Sequence, residues 1–213
     1  MKPGRVWLFD LDNTLHNATP HIFPHINRSM RQYIERHLDV DKQEASRIRQ
    51  DYWMRYGATL LGLVRHHGTD PDHFLQATHQ FPDLRRMVLF ERPIIHALRR
   101  LPGRKIIFSN APRHYAEAIL EITGLGACFD AVYSVENLRY QPKPMLAGFR
   151  ALLGAERLDP RNCIMVEDSL ANLVTAKKLG MKTVWVSTSF RQSPSVDAKI
   201  RSVTELPNRC GRL

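Results

Sequence analysis

Cysteine is scarce: Cys128, Cys163 and Cys210 are the only three in 213 residues. They are odd in number and far apart, so their spacing supports neither a disulfide framework nor a thiolate metal site, and a reducing cytosol is the compartment that fits them. No apolar stretch approaches the ~20 residues that span a bilayer. The start of the chain, Met1 to Arg5, leads straight into a strand-like run and leaves no room for the apolar core of a signal peptide. Neither membrane insertion nor secretion is therefore expected. The ten histidines form no ligand-spaced cluster, and the adjacent His66 and His67 read as surface. Lys and Arg outnumber Asp and Glu by 31 to 21, a net +10, which raises nucleic acid as a partner. Yet no run of like charge reaches five, and the densest pairs, Arg85-Arg86 and Arg99-Arg100, read as solvated helix faces. So scattered a field argues against nucleic acid, and it would equally attract a phosphorylated metabolite. Internal repeats and low-complexity segments are absent as well.

What the chain does have is concentrated first at Val6-Trp-Leu-Phe-Asp-Leu-Asp-Asn-Thr-Leu15. Val6 to Phe9 has the length and composition of a strand buried on both faces. Asp10 and Asp12 follow it two residues apart, so an extended chain points both carboxylates to the same side, where a parallel strand would end. Two anions that close repel each other. The pair makes chemical sense if a cation or a shared proton offsets the repulsion, or if one is a nucleophile and the other an acid and base. The plainer alternative is a strand followed by an Asp-Asn turn. Three later stretches also follow strand-like runs and supply groups that phosphate chemistry needs: Ser109-Asn110, Lys143 between two prolines, and Glu167-Asp168.

Between these points the periodicity changes. From Pro20 to about Arg92 it is helical: one helix from Pro20 through Leu38, a second from Asp41 to Tyr56, and a third opened by Asp70-Pro71. From Glu91 strand-like and helical segments alternate, with strands expected at Lys105–Phe108, Ala131–Val135, Asn162–Val166 and Thr183–Val186. Residues after Thr188 carry no period and read as a tail. The expected fold class is α/β, a doubly wound parallel sheet, with residues 1–15 and 91–213 as the core domain and 16–90 as an inserted all-helical cap. A lid of that kind could exclude water from the Asp10 site.

Asp10-Leu-Asp-Asn-Thr-Leu15, Ile107-Phe-Ser-Asn-Ala111, Gln141-Pro-Lys-Pro144 and Val166-Glu-Asp-Ser169 together resemble the four ordered motifs of the haloacid dehalogenase-like (HAD) phosphohydrolases. The resemblance implies that Asp10 is the nucleophile and forms an aspartyl-phosphate. Asp12 would protonate the leaving alcohol and then take a proton from water. Ser109, the amides of Asn110 and Ala111, and Lys143 would bind the phosphate. Mg²⁺ would be held by Asp10, the backbone carbonyl of Asp12 and Asp168, with Glu167 acting through a metal-bound water. A helix after Asp168 could be capped by Ser169. The dehalogenases of the family lack a carboxylate at the Asp12 position, so its presence favours phosphate over halide.

Leu8 to Leu15, Tyr56-Gly-Ala-Thr-Leu-Leu-Gly62 and Arg104 to Ala111 are similar to the pyrimidine 5′-nucleotidase subfamily. That likeness implies UMP and CMP as substrates, with Tyr56 and Thr59 contacting them; the same two residues could instead only pack one helix on another. A broad sugar-phosphate phosphatase or phosphomutase is the alternative enzyme. A basic nucleic-acid-binding protein on an inactive phosphatase fold is the alternative of another class.

Overall fold

The computed structural model describes residues 4–209; Met1 to Pro3 and Cys210, on which part of the reading of chain start and cysteines rests, lie outside the described residues. The chain divides into two compact units, one made of the residues up to Asn17 and from Leu89 onward, the other of Ala18–Val88. The crossings thus fall at 17/18 and 88/89, where the sequence suggested 15/16 and 90/91. Asn17 and Leu89 form an isolated antiparallel bridge, so the two crossing strands lie side by side.

In chain order, β1 (Val6–Phe9) precedes five helices: α1 (Ile22–Leu38), α2 (Lys42–Tyr56), α3 (Thr59–His67), α4 (Pro71–Thr78) and α5 (Leu84–Met87). The alternation that follows comprises α6 (Pro93–Arg100), β2 (Arg104–Phe108), α7 (Arg113–Thr123), β3 (Ala131–Tyr133), α8 (Leu146–Ala155), β4 (Cys163–Glu167), α9 (Leu170–Lys178), β5 (Lys182–Val186), β6 (Ala198–Ile200) and α10 (Leu206–Arg209).

All six strands pair in parallel, in the order β3-β2-β1-β4-β5-β6. Strand order reverses between β1 and β4, which makes the carboxyl ends of those two strands the topological switch point, the place where such sheets take their ligands. β1 is central and buried on both faces. Val6 and Leu8 join Ile106, Phe108 and Met165 in a core with Phe149 and Leu152 of α8 and Leu173 and Ala176 of α9. By the two-residue alternation Trp7 and Phe9 point the other way, where Phe9 meets Phe129 edge-on at 5.7 Å. The Trp7 and Phe9 rings are fully buried, and each contributes roughly 1.5–3 kcal/mol on area alone.

Two expectations need correction here. The segment after Thr188 is not a tail: it supplies β6, a 3₁₀ turn at Val203–Glu205 and α10, with Val203 and Leu206 buried beside α6. Three residues of edge strand show no period, and the one legible signal was Ser202-x-x-Glu205, which forms a complete capping box. Ser169 stands at the N-cap of α9 but its side chain makes no capping bond; instead its own amide donates to Glu167 Oε1 at 3.1 Å.

The helical unit follows its start signals closely. Asp41 accepts from Gln43 N and Glu44 N at 2.8 Å, and Asp70 accepts from His73 N at 2.7 Å ahead of Pro71; such caps are worth ~1 kcal/mol each. α1 begins at Ile22 rather than Pro20, which lies in the preceding turn. Gly57 ends α2 with φ +78°, and Gly62 lets α3 press against Tyr52, whose Cγ would stand 2.2 Å from any Cβ added there.

Candidate active site

The site is a consequence of register. Phe9 pairs with Ile107 on one side and Val166 on the other; one residue further, Asp10 comes level with Phe108 and Glu167, all three on the face that α8 and α9 cover. The Asp10 amide continues the ladder by donating to Val166 O at 3.0 Å. Lys143, from the loop before α8, passes over the Phe108 ring at 5.1 Å. Its Nζ donates to Asp10 Oδ1 and to Glu167 Oε2, both at 2.7 Å. Lys143 and Glu167 are 2% and 1% exposed and Asp10 8%, so this ion triad is nearly dry, an arrangement that costs several kcal/mol of desolvation per ion unless each is paired.

Charge at this point does not balance. Asp10, Glu167 and Asp168 bring three carboxylates, with ligand oxygens within 4.8 Å of one another, against one ammonium. Burial, then the negative charge of Glu167, push Asp10 up to about 7 even with Lys143 pulling it down. Burial likewise raises Glu167 and Asp168. Burial alone would lower Lys143, but the charges of Asp10 and Glu167 outweigh it and hold the ammonium above its ordinary value. A site that is short of positive charge and lined by hard oxygen donors, with no His or Cys in the cluster, fits Mg²⁺. Glu167 accepts from Lys143 on one oxygen and from the Ser169 amide on the other, Asp10 accepts from Lys143 and Thr14 in the same way, and Asp168 is the least buried carboxylate of the three. The Asp168 carbonyl accepts from Trp185 Nε1 at 2.8 Å, which fixes the backbone of this corner.

Asp12 stands apart from that cluster. Its Oδ1 accepts from Tyr115 OH at 2.5 Å and from His16 Nε2 at 2.9 Å. Just after Asp12 the chain turns through Asn13 at φ +59°, a left-handed conformation that asparagine tolerates, and Thr14 Oγ1 returns to Asp10 Oδ2 at 3.2 Å. Burial, then the charge of Asp12, raise the Tyr115 phenol well above its ordinary value, so it stays a donor.

Ser109, 1% exposed, follows β2, and its amide donates to Tyr133 O at 2.9 Å. Its Oγ accepts from Ala111 N at 3.0 Å, so the Ala111 amide, expected for phosphate, is already engaged. Asn110 does something the sequence did not suggest: Nδ2 donates to Lys143 O at 2.9 Å and Oδ1 accepts from Lys143 N at 2.7 Å. The loop is held from two further sides. Thr175 Oγ1 donates to Pro144 O at 2.9 Å, and Gly148 is required because a Cβ there would lie 2.1 Å from Gln141 O.

The structure thus brings Asp10, Lys143, Glu167 and Asp168 into one cluster, with Asp12, Ser109 and Asn110 on the adjoining loops of the same unit. Tyr56 and Thr59 belong to the helical unit. There Tyr56 OH bonds His66 Nε2 at 2.6 Å, and Thr59, 4% exposed, donates to Arg49 O at 3.0 Å. His66 and His67 are exposed as expected, and each is paired with a tyrosine. His16, Tyr115, Thr14, Thr175 and Gly148 were missed; only His16, four residues after Asp12, had a local signal.

A family model described as haloacid dehalogenase-like hydrolase matches residues 5–180. Phosphate metabolism protein 8 of Saccharomyces cerevisiae is 23% identical over 192 residues, which cover 83% of this chain and 60% of that protein. Hexitol phosphatase B of Escherichia coli K12 is 33% identical over 104 residues, 46% of either chain. The chain therefore spans 60% or less of the length of these curated relatives. Among solved structures, a HAD phosphatase from Thermococcus onnurineus superposes with a TM-score of 0.67 at 23% identity, covering 97% of this chain and 98% of that one, a likeness of fold.

Proposed function

For a chain that belongs to the haloacid dehalogenase-like hydrolases, we propose Mg²⁺-dependent hydrolysis of a small phosphorylated metabolite through a phosphoryl group carried on Asp10. The observation that carries this reading is the buried Asp10–Lys143–Glu167 triad at the switch point of the sheet, short of one cation and beside a second, separately held carboxyl. In the first step an Asp10 oxygen attacks phosphorus, a P–O bond forms, and the bond to the leaving alcohol breaks; Asp12 gives its proton to the departing oxygen. In the second, Asp12 takes a proton from water as that water attacks phosphorus, and inorganic phosphate leaves the regenerated Asp10 carboxylate. Lys143 keeps Asp10 oriented and offsets its charge, and the Ser109 hydroxyl would donate to a phosphate oxygen. Mg²⁺, held by Asp10, the Asp12 carbonyl and Asp168 with Glu167 in support, would supply the positive charge that lets a dianion approach these carboxylates.

Two classes of organic group compete. Pyrimidine nucleoside 5′-monophosphates follow from the likeness of the 56–62 stretch and need Tyr56 and Thr59 as contacts. The Thr59 hydroxyl is buried and engaged with Arg49 O, which counts against it as a pyrimidine contact, and a phosphorylated sugar or polyol agrees with the name of the hexitol phosphatase relative. Phosphate release from UMP, CMP, AMP, GMP and glucose 6-phosphate, with and without Mg²⁺, tests both levels. No release from any of them, or full release in EDTA, would remove the proposed reaction. A higher kcat/KM for UMP and CMP than for the sugar phosphate would restore the pyrimidine reading.

A further inference from the structure

Asp12 is held in an unusual way for a group that must both give and take a proton. Two donors converge on the same oxygen: Tyr115 OH at 2.5 Å and His16 Nε2 at 2.9 Å, both on Oδ1. A carboxyl oxygen has two in-plane lone pairs, so Oδ1 has no place left for a proton. We infer that Tyr115 and His16 are positioning residues that lock the Asp12 carboxyl, with Oδ1 as the passive oxygen and Oδ2 as the one that exchanges protons with leaving group and water. This rests on the reading of Asp12 as acid and base.

Packing does not account for either side chain. Tyr115 is 1% exposed, and phenylalanine would fill the same volume without a hydroxyl to satisfy. The His16 side chain is inaccessible, and its Nδ1 is buried with no hydrogen-bond partner. An apolar residue would avoid that unpaired nitrogen. Assigning the ring proton to Nε2 makes His16 a donor to Asp12 and leaves Nδ1 a bare acceptor. A free carboxyl would present either oxygen to the substrate and would lose orientational freedom at each proton transfer; the two donors, from chain positions 99 residues apart, remove that freedom in advance.

The test compares kcat/KM for an alkyl phosphate, whose leaving group needs a proton, with p-nitrophenyl phosphate, whose leaving group does not. Tyr115→Phe is expected to lower the alkyl value about tenfold more than the aryl value, a fraction of what the acid itself supplies. In an Asp12→Asn background the same change is expected to cost nothing further. His16→Gln, which keeps an N–H donor, should retain more alkyl activity than His16→Leu. Equal losses on both esters, or a full additional loss in the Asp12→Asn background, would show a structural role only and overturn the inference. If the unmodified enzyme cleaves neither ester, the proposed function fails on its own account, and crystal structures decide the clamp. An Asp12 carboxyl that adopts a second rotamer in Tyr115→Phe supports it, and one that is unmoved overturns it.

Discussion

The two units treat buried polarity in opposite ways. Among the described residues the helical unit buries only Thr59, Thr78 and His79 as polar side chains. All are uncharged or satisfied nearby: Thr59 donates to Arg49 O, and Thr78 to Phe74 O and beside His79. The α/β unit buries the ionisable Asp10, Lys143 and Glu167 as one hydrogen-bonded triad and adds Asp168 and Asp12 at its rim. A stable fold needs no such cluster, because replacing a buried ion set with apolar residues is often neutral or stabilising. The contrast supports placing the proposed chemistry in the α/β unit.

The sharpest way to break that contrast is Lys143→Met. It leaves Asp10 and Glu167 facing each other without a cation, and is expected to destabilise the fold by ~3 kcal/mol or more, read by denaturant unfolding, while abolishing turnover. A loss below about 1 kcal/mol would mean that Lys143 does not offset the two buried carboxylates as described above. Next in size, Asp168→Ala should raise the Mg²⁺ concentration for half-maximal rate by about tenfold or more. An unchanged Mg²⁺ dependence would move the ligand role to Glu167. Gly148→Ala should cost about 1–3 kcal/mol and lower kcat by displacing Gln141 and with it the Lys143 loop. Unchanged kcat would show that the loop absorbs the Cβ elsewhere. The smallest effect belongs to the helical unit. Thr59→Val should cost ~1 kcal/mol through the lost bond to Arg49 O, with the UMP to glucose 6-phosphate rate ratio unaltered. A changed ratio would give Thr59 a part in recognition after all.

These differences also explain what could be read in the chain beforehand. Asp10, Ser109 and Glu167-Asp168 each follow an apolar strand, so a parallel sheet gathers them at one edge and the pattern is visible without coordinates. Lys143 was visible only through its place in the ordered set, and its near-complete burial over Phe108 was not. The pair of hydrogen bonds from Asn110 to the Lys143 backbone and the reach of Tyr115 to Asp12 were illegible, because they join residues that no local pattern connects; His16, four residues after Asp12, was the one partner with a local signal. β6 escaped because Ala198–Ile200 is too short for a period. Thr59 was legible as a hydroxyl near two glycines, but the use of Gly62 to admit Tyr52 and of Thr59 to reach Arg49 O depends on how α2 and α3 pack.

The most direct test of the central claim is to trap the protein during turnover of a ³²P-labelled phosphomonoester with Mg²⁺ and map the label by proteolysis. The account requires a hydroxylamine-labile acyl phosphate on the peptide that carries Asp10, absent from Asp10→Asn, which should also lose at least about 10³-fold in kcat. Steady phosphate release with no label on that peptide, or substantial turnover by Asp10→Asn, would contradict it.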